Sequence, residues 1–278
     1  MESRPQRRPQ QTHHGRVVRV EWLTPHMIRI VLGGEGLAAF SAGVFSDHYI
    51  KLQFPHEGVA YPEPFDPARI RAELPREQWP ISRTYTVRQW DADTGELTVD
   101  FVHHGDEGVA GPWAAAAKPG DVLYFGGPGG GYTPTPDADW YLLAGDESAL
   151  PAIASCLESL PKGSAAHVFI EVSGPEEEQK LLTPADAEIT WLHRGEERVG
   201  QALVRAVSEF DFPAGSPEAF VHGEAGFVKE LRRLLRVEHR IPLDQLSISG
   251  YWRTGHDEDG WQSSKRDWNR SVEQEQEQ

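Results

Sequence analysis

Three side chains near the middle of a predicted strand have types and a spacing suited to holding a phosphorylated aromatic ligand. Arg83 and Tyr85 lie two residues apart in the segment ISRTYTVR (residues 81–88), so a strand places them on one face. A guanidinium group binds phosphate, a phenol ring packs against a flat ligand, and the Thr86 hydroxyl donates or accepts a hydrogen bond. This set favours a flavin dinucleotide. A half-buried strand whose arginine pairs with a carboxylate is the alternative, and the motif alone leaves it open.

Further motifs follow this segment in order along the chain. They are DFVHHG at residues 100–105, GPWA at 111–114, GPGG at 127–130, DWYLLAGDESALP at 139–151 and GYWRTG at 250–255. The ordered set resembles the siderophore-interacting proteins, which are FAD-dependent ferric-siderophore reductases of the ferredoxin–NADP reductase superfamily. The resemblance runs from about residue 15 to residue 268, which is nearly the whole chain.

The resemblance implies that FAD is bound by the first half of the chain and by two aromatic residues after the last strand. The segment 100–113 corresponds to the region that carries the ribityl chain and pyrophosphate, and a helix start at residues 114–117 would attract an anion. An ordinary strand–turn–helix corner is the alternative. Of the two late aromatic rings, one is expected near the isoalloxazine and the other between domains. The expected FAD-binding residues are Arg83, Tyr85, Thr86, Phe101, Val102, His103, Gly111, Pro112, Trp113, Tyr251 and Trp252.

Two turns in the second half resemble the family's nicotinamide site. The turn at residues 145–148 closes an apolar strand and opens a helix, which is where open α/β sheets bind ligands, and residues 222–224 occupy the equivalent place later. We expect NADH or NADPH to approach the bare backbone of the first glycine. Residues 171–178 do not decide between NADH and NADPH. Ser173 could contact the 2′-phosphate of NADPH, whereas the four acids in this segment would repel it. The expected nucleotide-binding residues are Gly145, Asp146, Glu147, Ser148 and Glu224.

The substrate that the resemblance implies is a ferric siderophore. FAD would take hydride from NAD(P)H and pass electrons singly to iron(III), and oxygen ligands hold the softer Fe(II) less tightly, so iron is released. Many ferric siderophores are anionic, so we expect a local concentration of basic side chains. The expected substrate contacts are Lys51, Arg253, Lys265 and Arg266. The alternatives are a flavin reductase with another acceptor (free flavin, a quinone or a ferredoxin partner) and a siderophore-binding protein without catalysis.

The predicted secondary structure that must position these residues changes near residue 134. Before it, short strands are separated by Gly, Pro and Asp turns, which is typical of an antiparallel β-barrel, and the glycines of residues 126–131 predict a flexible exit from that barrel. After it, strands alternate with helices, which predicts a parallel sheet with right-handed crossovers. We therefore predict a disordered segment (1–14), an antiparallel β-barrel flavin domain (15–134), a parallel-sheet α/β domain for NAD(P)H (135–250), a helical segment returning to the flavin (251–270) and an acidic tail (271–278).

Composition limits the other classes of function. The chain has 27 basic and 43 acidic residues, a net charge of −16, which opposes nucleic-acid binding. Its single cysteine, Cys156, excludes an intrachain disulfide and any four-thiolate metal site, and is consistent with a reducing compartment. His103 and His104 are neighbours on a strand and point to opposite faces, so they predict no metal site. No apolar run approaches about 18 residues and the N-terminus does not resemble a secretory signal, so we expect no membrane span. We also expect the protein to be cytoplasmic and a monomer.

Overall fold

The computed structural model describes residues 11–256 and 258–276. The chain divides into two compact units, Met1–Gly130 and Gly131–Gln278. Among the described residues, no helix combines the length and the apolar character needed to cross a bilayer.

The described residues of the first unit form an antiparallel sheet of seven strands. They are β1 (Thr12–Thr24), β2 (Met27–Gly33), β3 (Tyr49–Phe54), β4 (Ile81–Thr86), β5 (Gln89–Asp91), β6 (Glu96–Val102) and β7 (Val122–Gly129). Two short helices, α1 (Pro67–Glu73) and α2 (Ala110–Ala116), lie between strands in the sequence. The strand order is β4-β3-β7-β1-β2-β6-β5, and the predicted antiparallel barrel fold is confirmed.

The segment of chain from β4 to β5 closes this sheet into a barrel. β4 pairs with β3, the backbone N–H of Arg88 then donates to the carbonyl of Thr98 at 2.9 Å, and β5 pairs with β6. One continuous run of chain therefore supplies the strands at both ends of the strand order. Alternate residues of these strands point inward and are fully buried, as the two-residue period of a strand requires. The inward residues of β3 and β6 are Ile50, Leu52, Leu97, Val99 and Phe101.

The prediction of disorder at the N-terminus is wrong for residues 12–14. β1 begins at Thr12, and this residue pairs with Gly126 of β7, while His14 pairs with Tyr124. The ring of His13 is buried against Phe125 at a centroid distance of 5.6 Å. Pairing with a neighbouring strand supplies the hydrogen bonds that the local composition did not predict. Residues 1–10 lie outside the described residues.

The predicted flexible exit from the barrel is also wrong for residues 126–129. They form the end of β7, where Gly126 pairs with Lys51 and Gly129 with Tyr49. A Cβ on Gly129 would lie 2.4 Å from Cζ of Tyr49, so the tyrosine ring covers the glycine backbone. Aromatic cover of this kind stabilises a strand that glycine alone would leave weak.

The described residues of the second unit form a parallel sheet of five strands with four helices. The strands are β8 (Trp140–Gly145), β9 (Ala165–Val172), β10 (Asp186–His193), β11 (Pro217–Glu224) and β12 (Leu246–Trp252). The helices are α3 (Leu150–Glu158), α4 (Gln201–Ser208), α5 (Ala225–Arg233) and α6 (Glu258–Gln276). The order β10-β9-β8-β11-β12 confirms the predicted parallel-sheet α/β fold.

Helix α6 extends through most of the segment that we predicted as an acidic tail. Val272 is buried, and Lys229 on α5 donates to Glu275 at 2.5 Å, so residues 271–276 are anchored as helix. Trp261 is fully buried and meets Trp268 edge to face at 5.3 Å, as expected for two rings seven residues apart on one helix. Residues 277 and 278 lie outside the described residues.

Candidate functional site

The flavin-motif residues lie on β4, beside the closure of the barrel. Arg83 and Tyr85 share a strand face and are both half-buried. The ring of Tyr85 lies 4.4 Å from that of Phe101 on β6, and the Arg83 guanidinium donates to the carbonyl of Ser82 at 2.9 Å. Thr86 ends the strand and is buried opposite Tyr49 of β3. The strand period therefore places the Arg83 and Tyr85 side chains on one face, and the Thr86 hydroxyl follows them at the end of the strand.

An aromatic cluster continues from β4 towards helix α2. Trp113 of α2 lies 5.8 Å from Phe101 and 5.8 Å from Phe54 of β3, measured between ring centroids. Phe101 is fully buried, whereas Tyr85 and Trp113 are half-buried. Three of the expected FAD-binding residues thus belong to one contiguous aromatic cluster. Rings at such separations pack favourably without a ligand, so this cluster also stabilises the barrel.

The corner between β6 and α2 packs closely because one of its residues is glycine. A Cβ on Gly111 would lie 3.1 Å from the carbonyl oxygen of Val102 and 3.5 Å from Cα of His103. The backbone N–H of His103 donates to His26 at 2.9 Å, which fixes the end of the corner. Pro112 follows in the first turn of α2, where proline is tolerated. The helix begins at Ala110, four residues earlier than predicted.

These residues fit FAD by the chemistry of their donors. The guanidinium of Arg83 suits phosphate, the half-buried ring of Tyr85 suits a flat ring system, and the hydroxyl of Thr86 suits a ring nitrogen. Gly111 allows the start of α2 to pack directly on the backbone at the end of β6, so no side chain separates the two elements there. The assignment of individual residues to FAD stays a prediction.

The second candidate site lies where the order of parallel strands reverses. β9 and β10 lie on one side of β8, whereas β12 lies beyond β11 on the other side. Open α/β sheets bind ligands outside the carboxyl ends of their strands at such a point. Gly145 of β8 and His222 of β11 are direct neighbours there. The structure therefore brings together the two turns that the sequence analysis selected.

Asp146 joins the ends of three strands at this edge and is fully buried. Its Oδ1 accepts from the backbone N–H and hydroxyl of Ser148, at 3.0 and 2.5 Å. Its Oδ2 accepts from the backbone N–H of Glu224 and from the indole of Trp252, both at 2.9 Å. Burial, and then the charge of Glu147, raise the pKa of Asp146 to about 6, against the opposing effect of these donors. Both oxygens are engaged within the protein, which favours a positioning role for Asp146 over the predicted contact with nucleotide.

Glu224 holds the start of α5 in place. One carboxylate oxygen accepts from the N–H groups of Gly226 and Phe227, at 2.6 and 3.3 Å, and the other accepts from Thr254 at 3.1 Å. Capping by an acidic side chain satisfies helix N–H groups that have no partner in the helix. Sequence reasoning placed Glu224 at this edge but missed its bond to residue 254, because no local pattern links a helix start to a chain segment 30 residues away.

Gly145 is required for packing within the protein. A Cβ there would lie 2.6 Å from the carbonyl oxygen of His222 and 2.7 Å from Cβ of Ala149 on the turn into α3. These contacts explain why β8, β11 and α3 can approach so closely. Packing within the protein therefore accounts for this glycine without the expected approach of a nucleotide to its backbone. A larger residue at this position would disturb the fold before any effect on nucleotide binding could be measured.

A buried ion network at the same edge escaped the sequence analysis. Arg194, just after β10, donates to both oxygens of Glu147, at 2.7 and 3.1 Å, and to Glu171 at 3.3 Å. Glu171 is fully buried and also accepts from the backbone N–H of Gly200 at 2.7 Å. Glu147, predicted to contact nucleotide, is therefore held by arginine. Arg194 and Glu147 are 47 residues apart in the chain, so no spacing motif could reveal the pair.

His222 is buried beside polar residues of β12. Its ring stacks on Phe220 at 3.9 Å, lies 5.0 Å from Tyr251, and its Nε2 is 3.0 Å from the hydroxyl of Ser247. Its Nδ1 has no hydrogen-bond partner among the described residues. Burial, and then the charge of Lys265, lower the pKa of His222 to about 3, so the imidazole is neutral in the folded protein.

The four expected substrate cations differ in their surroundings. Lys51 is exposed on β3, in the first unit. In the second unit, Arg253 is half-buried after β12, Arg266 is exposed on α6, and Lys265 donates to Ser249 at 3.0 Å. Their contact with a substrate stays a prediction, as does contact of Tyr251 and Trp252 with FAD. Within residues 11–256 and 258–276, no group of three or more His, Cys, Asp or Glu side chains could hold a metal ion.

Comparison with known proteins gives matches along nearly the whole chain. Residues 16–132 match the family model of a siderophore-interacting FAD-binding domain, and residues 138–255 match that of a siderophore-interacting protein. The ferric vibriobactin reductase of Vibrio cholerae is 34% identical over 89% of this chain and 92% of its own. The NADPH-dependent ferric-chelate reductase of Escherichia coli is 33% identical over 85% and 91%. The crystal structure of the siderophore-interacting protein SipS from Aeromonas hydrophila superposes with a TM-score of 0.78 at 30% identity, covering 93% and 98%.

Proposed function

The chain belongs to the siderophore-interacting protein family, and from this we propose that it reduces ferric siderophores through bound FAD, with NADH or NADPH as electron donor. The observation that carries the proposal is the Arg83, Tyr85 and Thr86 set on β4, within the part of the chain that matches a FAD-binding domain. The names of the Vibrio and Escherichia relatives support the reductase activity.

FAD would supply the conversion between a two-electron donor and a one-electron acceptor, because nicotinamide gives hydride whereas iron(III) takes single electrons. Iron leaves the siderophore after reduction because the hard oxygen ligands that bind Fe(III) tightly bind Fe(II) less well. The protein's task is then to bind and orient, and no proton-transferring triad is required.

In the first unit, the chain's own residues divide this task. We assign the Arg83 guanidinium to phosphate, the Tyr85 ring to one face of the isoalloxazine, and the Thr86 hydroxyl to a ring nitrogen. Val102, His103, Gly111 and Pro112 would line the path of the ribityl chain and pyrophosphate, because they form the close-packed corner between β6 and the start of α2. Phe101 packs against the Tyr85 ring, and Trp113 packs against Phe101 in turn.

In the second unit, we assign the nucleotide to the carboxyl edge between β8 and β11. Asp146 orients Ser148, Glu224 and Trp252 around that edge, and Glu147 fixes Arg194. These acids act as positioning residues. Of the expected nucleotide-binding side chains at this edge, we assign the hydroxyl of half-buried Ser148 to contact with the nucleotide. The single cysteine of the chain supports a cytoplasmic location.

The test is production of ferrous iron from a purified mixture. Protein, FAD, NADH or NADPH and a ferric siderophore are combined without oxygen, and Fe(II) is trapped by a coloured ferrous chelator. We expect Fe(II) only when all four components are present. Reduction of free flavin or of a quinone, with no reaction on any ferric siderophore, would instead assign the chain to flavin reductases with another acceptor. Binding of siderophore without any electron transfer would assign it to non-catalytic binding proteins.

A further inference from the structure

We propose that this protein selects NADH over NADPH, because the segment that would meet the adenosine ribose is acidic and the largely buried arginine beside it, Arg194, is already paired. The inference rests on the proposed function, which leaves the two nucleotides open. The observation that carries it is Arg194, whose guanidinium is held between two carboxylates of the protein.

The position of the adenosine ribose follows from the strand order. In chain order the parallel strands of the second unit run 3-2-1-4-5, as in the first five strands of a dinucleotide-binding sheet. In such sheets the ribose lies past the end of the second strand. An acid there binds the 2′-hydroxyl of NADH, or an arginine nearby accommodates the 2′-phosphate of NADPH. The second strand here is β9, which ends at Val172, so residues 173–178 are the segment that would meet the ribose.

Arg194 is placed well for a phosphate but is already neutralised. It follows β10, next to β9, and only about a seventh of its side chain is exposed, 14%. Both oxygens of Glu147 accept from it, and Glu171 accepts as well. Releasing the guanidinium would leave two buried carboxylates uncompensated, which is strongly unfavourable. Burial alone would lower the pKa of Arg194, but its hydrogen bonds to Glu147 and Glu171 and their charges outweigh burial and raise that pKa above its ordinary value.

Most of the remaining charges around the segment are negative, and the exception within residues 173–180 is Lys180, which is exposed. Residues 176–178 are three glutamates, and the ring of His193 at the end of β10 is bound by Glu178 at 2.8 Å. Arg198 is 71% exposed and pairs with Glu230 on α5 at 3.3 Å. A 2′-phosphate carries close to two negative charges and would be repelled by such a surface.

Glu176 is the side chain that we assign to the 2′-hydroxyl. It is exposed, and its carboxylate folds back over the backbone of Gly174, where a Cβ would lie 2.7 Å from Oε2. The acid therefore lies directly beyond the end of β9, at the position where an acceptor for a ribose hydroxyl is needed. A carboxylate accepts from a hydroxyl and repels a phosphate, so one residue both favours NADH and disfavours NADPH.

The experiment compares the two nucleotides on the FAD-loaded protein and two variants. Glu176→Arg replaces the acid by a phosphate ligand. Glu209→Arg makes the same charge change just past the C-terminus of α4. This position lies at the amino ends of the parallel strands, away from the proposed nucleotide site, so the variant serves as the matched control. Flavin bleaching gives kcat/KM for NADH and NADPH, and calorimetric titration with NAD⁺ and NADP⁺ gives binding without turnover.

We expect the parent to prefer NADH by about tenfold or more in both measurements. Glu176→Arg should shift the ratio towards NADPH by about tenfold, and Glu209→Arg should leave it unchanged. Equal use of the two nucleotides by the parent, or an NADPH preference, would overturn the inference and leave the proposed function standing. An unchanged ratio in Glu176→Arg would overturn the assignment of that residue. If neither nucleotide bleaches the flavin or binds, the proposed function fails together with the inference.

Discussion

At the scale of single residues, Arg83 carries the most direct prediction for flavin binding. A charge-assisted hydrogen bond to phosphate contributes on the order of 1.5–3 kcal/mol, so Arg83→Ala should weaken FAD affinity by roughly one to two powers of ten. Arg83→Lys should recover part of the loss, since it keeps the charge but not the planar fork of donors. Quenching of FAD fluorescence measures the affinity. Arg19→Ala, which removes an exposed arginine of β1, is the control, and equal affinity in the Arg83 and Arg19 variants would contradict the assignment.

His222 predicts a specific loss of stability in acid. Its pKa falls from the usual 6.5 to about 3 in the folded protein, so between these values only the unfolded chain binds the proton. Stability is therefore lost as pH falls below 6.5, by about 2 kcal/mol between pH 7.5 and pH 5. His222→Leu lacks this term.

Urea unfolding of parent and His222→Leu at both pH values measures the difference. Asp146, whose pKa is raised to about 6, changes stability with pH in the opposite direction. Its contribution to the free energy of unfolding is full in acid and is lost as the pH rises through 6. Because the unsubstituted protein and His222→Leu both contain Asp146, its contribution cancels in the difference between them. Parallel losses in the two proteins would show that His222 is not the titrating group.

Residue patterns revealed the candidate flavin residues because a strand has a fixed two-residue period. That period alone places Arg83 and Tyr85 on one face and the following hydroxyl at the strand end. The Arg194 network could not be predicted, because its three members, Arg194, Glu147 and Glu171, come from the ends of three different strands. The packing role of Gly145 was equally hidden, since it depends on the carbonyl of His222 in a strand more than 70 residues later.

At the scale of elements, Asp146 ties the β8–α3 turn to the ends of β11 and β12. Each of its oxygens accepts two hydrogen bonds, so Asp146→Asn would place an NH₂ group against two donors. We expect a loss in the free energy of unfolding of about 1–3 kcal/mol, the penalty for buried donors left unsatisfied. Urea denaturation measures it, and tryptophan fluorescence should report Trp252 as its indole loses a partner. Asp186→Asn, at an exposed position, should change stability by less than about 0.5 kcal/mol, and an equal loss in both would contradict this role.

Element types were predictable from periodicity, whereas several element ends were not. Alternating residues identified the strands of the barrel, and alternating strands and helices identified the parallel sheet. The start of β1, the end of β7 and the end of α6 were missed. In each case a partner distant in sequence stabilises the end: β7 for β1, β3 for β7, and α5 for α6. Local composition carries no information about such partners.

At the scale of the whole molecule, the charge of −16 should repel an anionic iron complex unless basic side chains attract it locally. Lys51→Glu should therefore lower kcat/KM for an anionic ferric siderophore, with a smaller effect as salt rises, and should leave a neutral one nearly unchanged. Lys118→Glu makes the same charge change at another exposed lysine of the first unit. An equal loss with both substrates in the Lys51 variant would mean that this lysine serves the fold or the flavin.

The measurement that tests the central claim most directly is one turnover of reduced flavin against a ferric siderophore. FAD-loaded protein is reduced with dithionite, freed of excess reductant and mixed without oxygen with the iron complex in the presence of a ferrous chelator. The proposal predicts that the visible absorption of oxidised flavin returns at a rate that increases with siderophore concentration. Fe(II) should appear in step with it, at two irons for each flavin because reduced FAD carries two electrons. Flavin that stays reduced in the presence of ferric siderophores, yet is reoxidised by a quinone, would contradict the account.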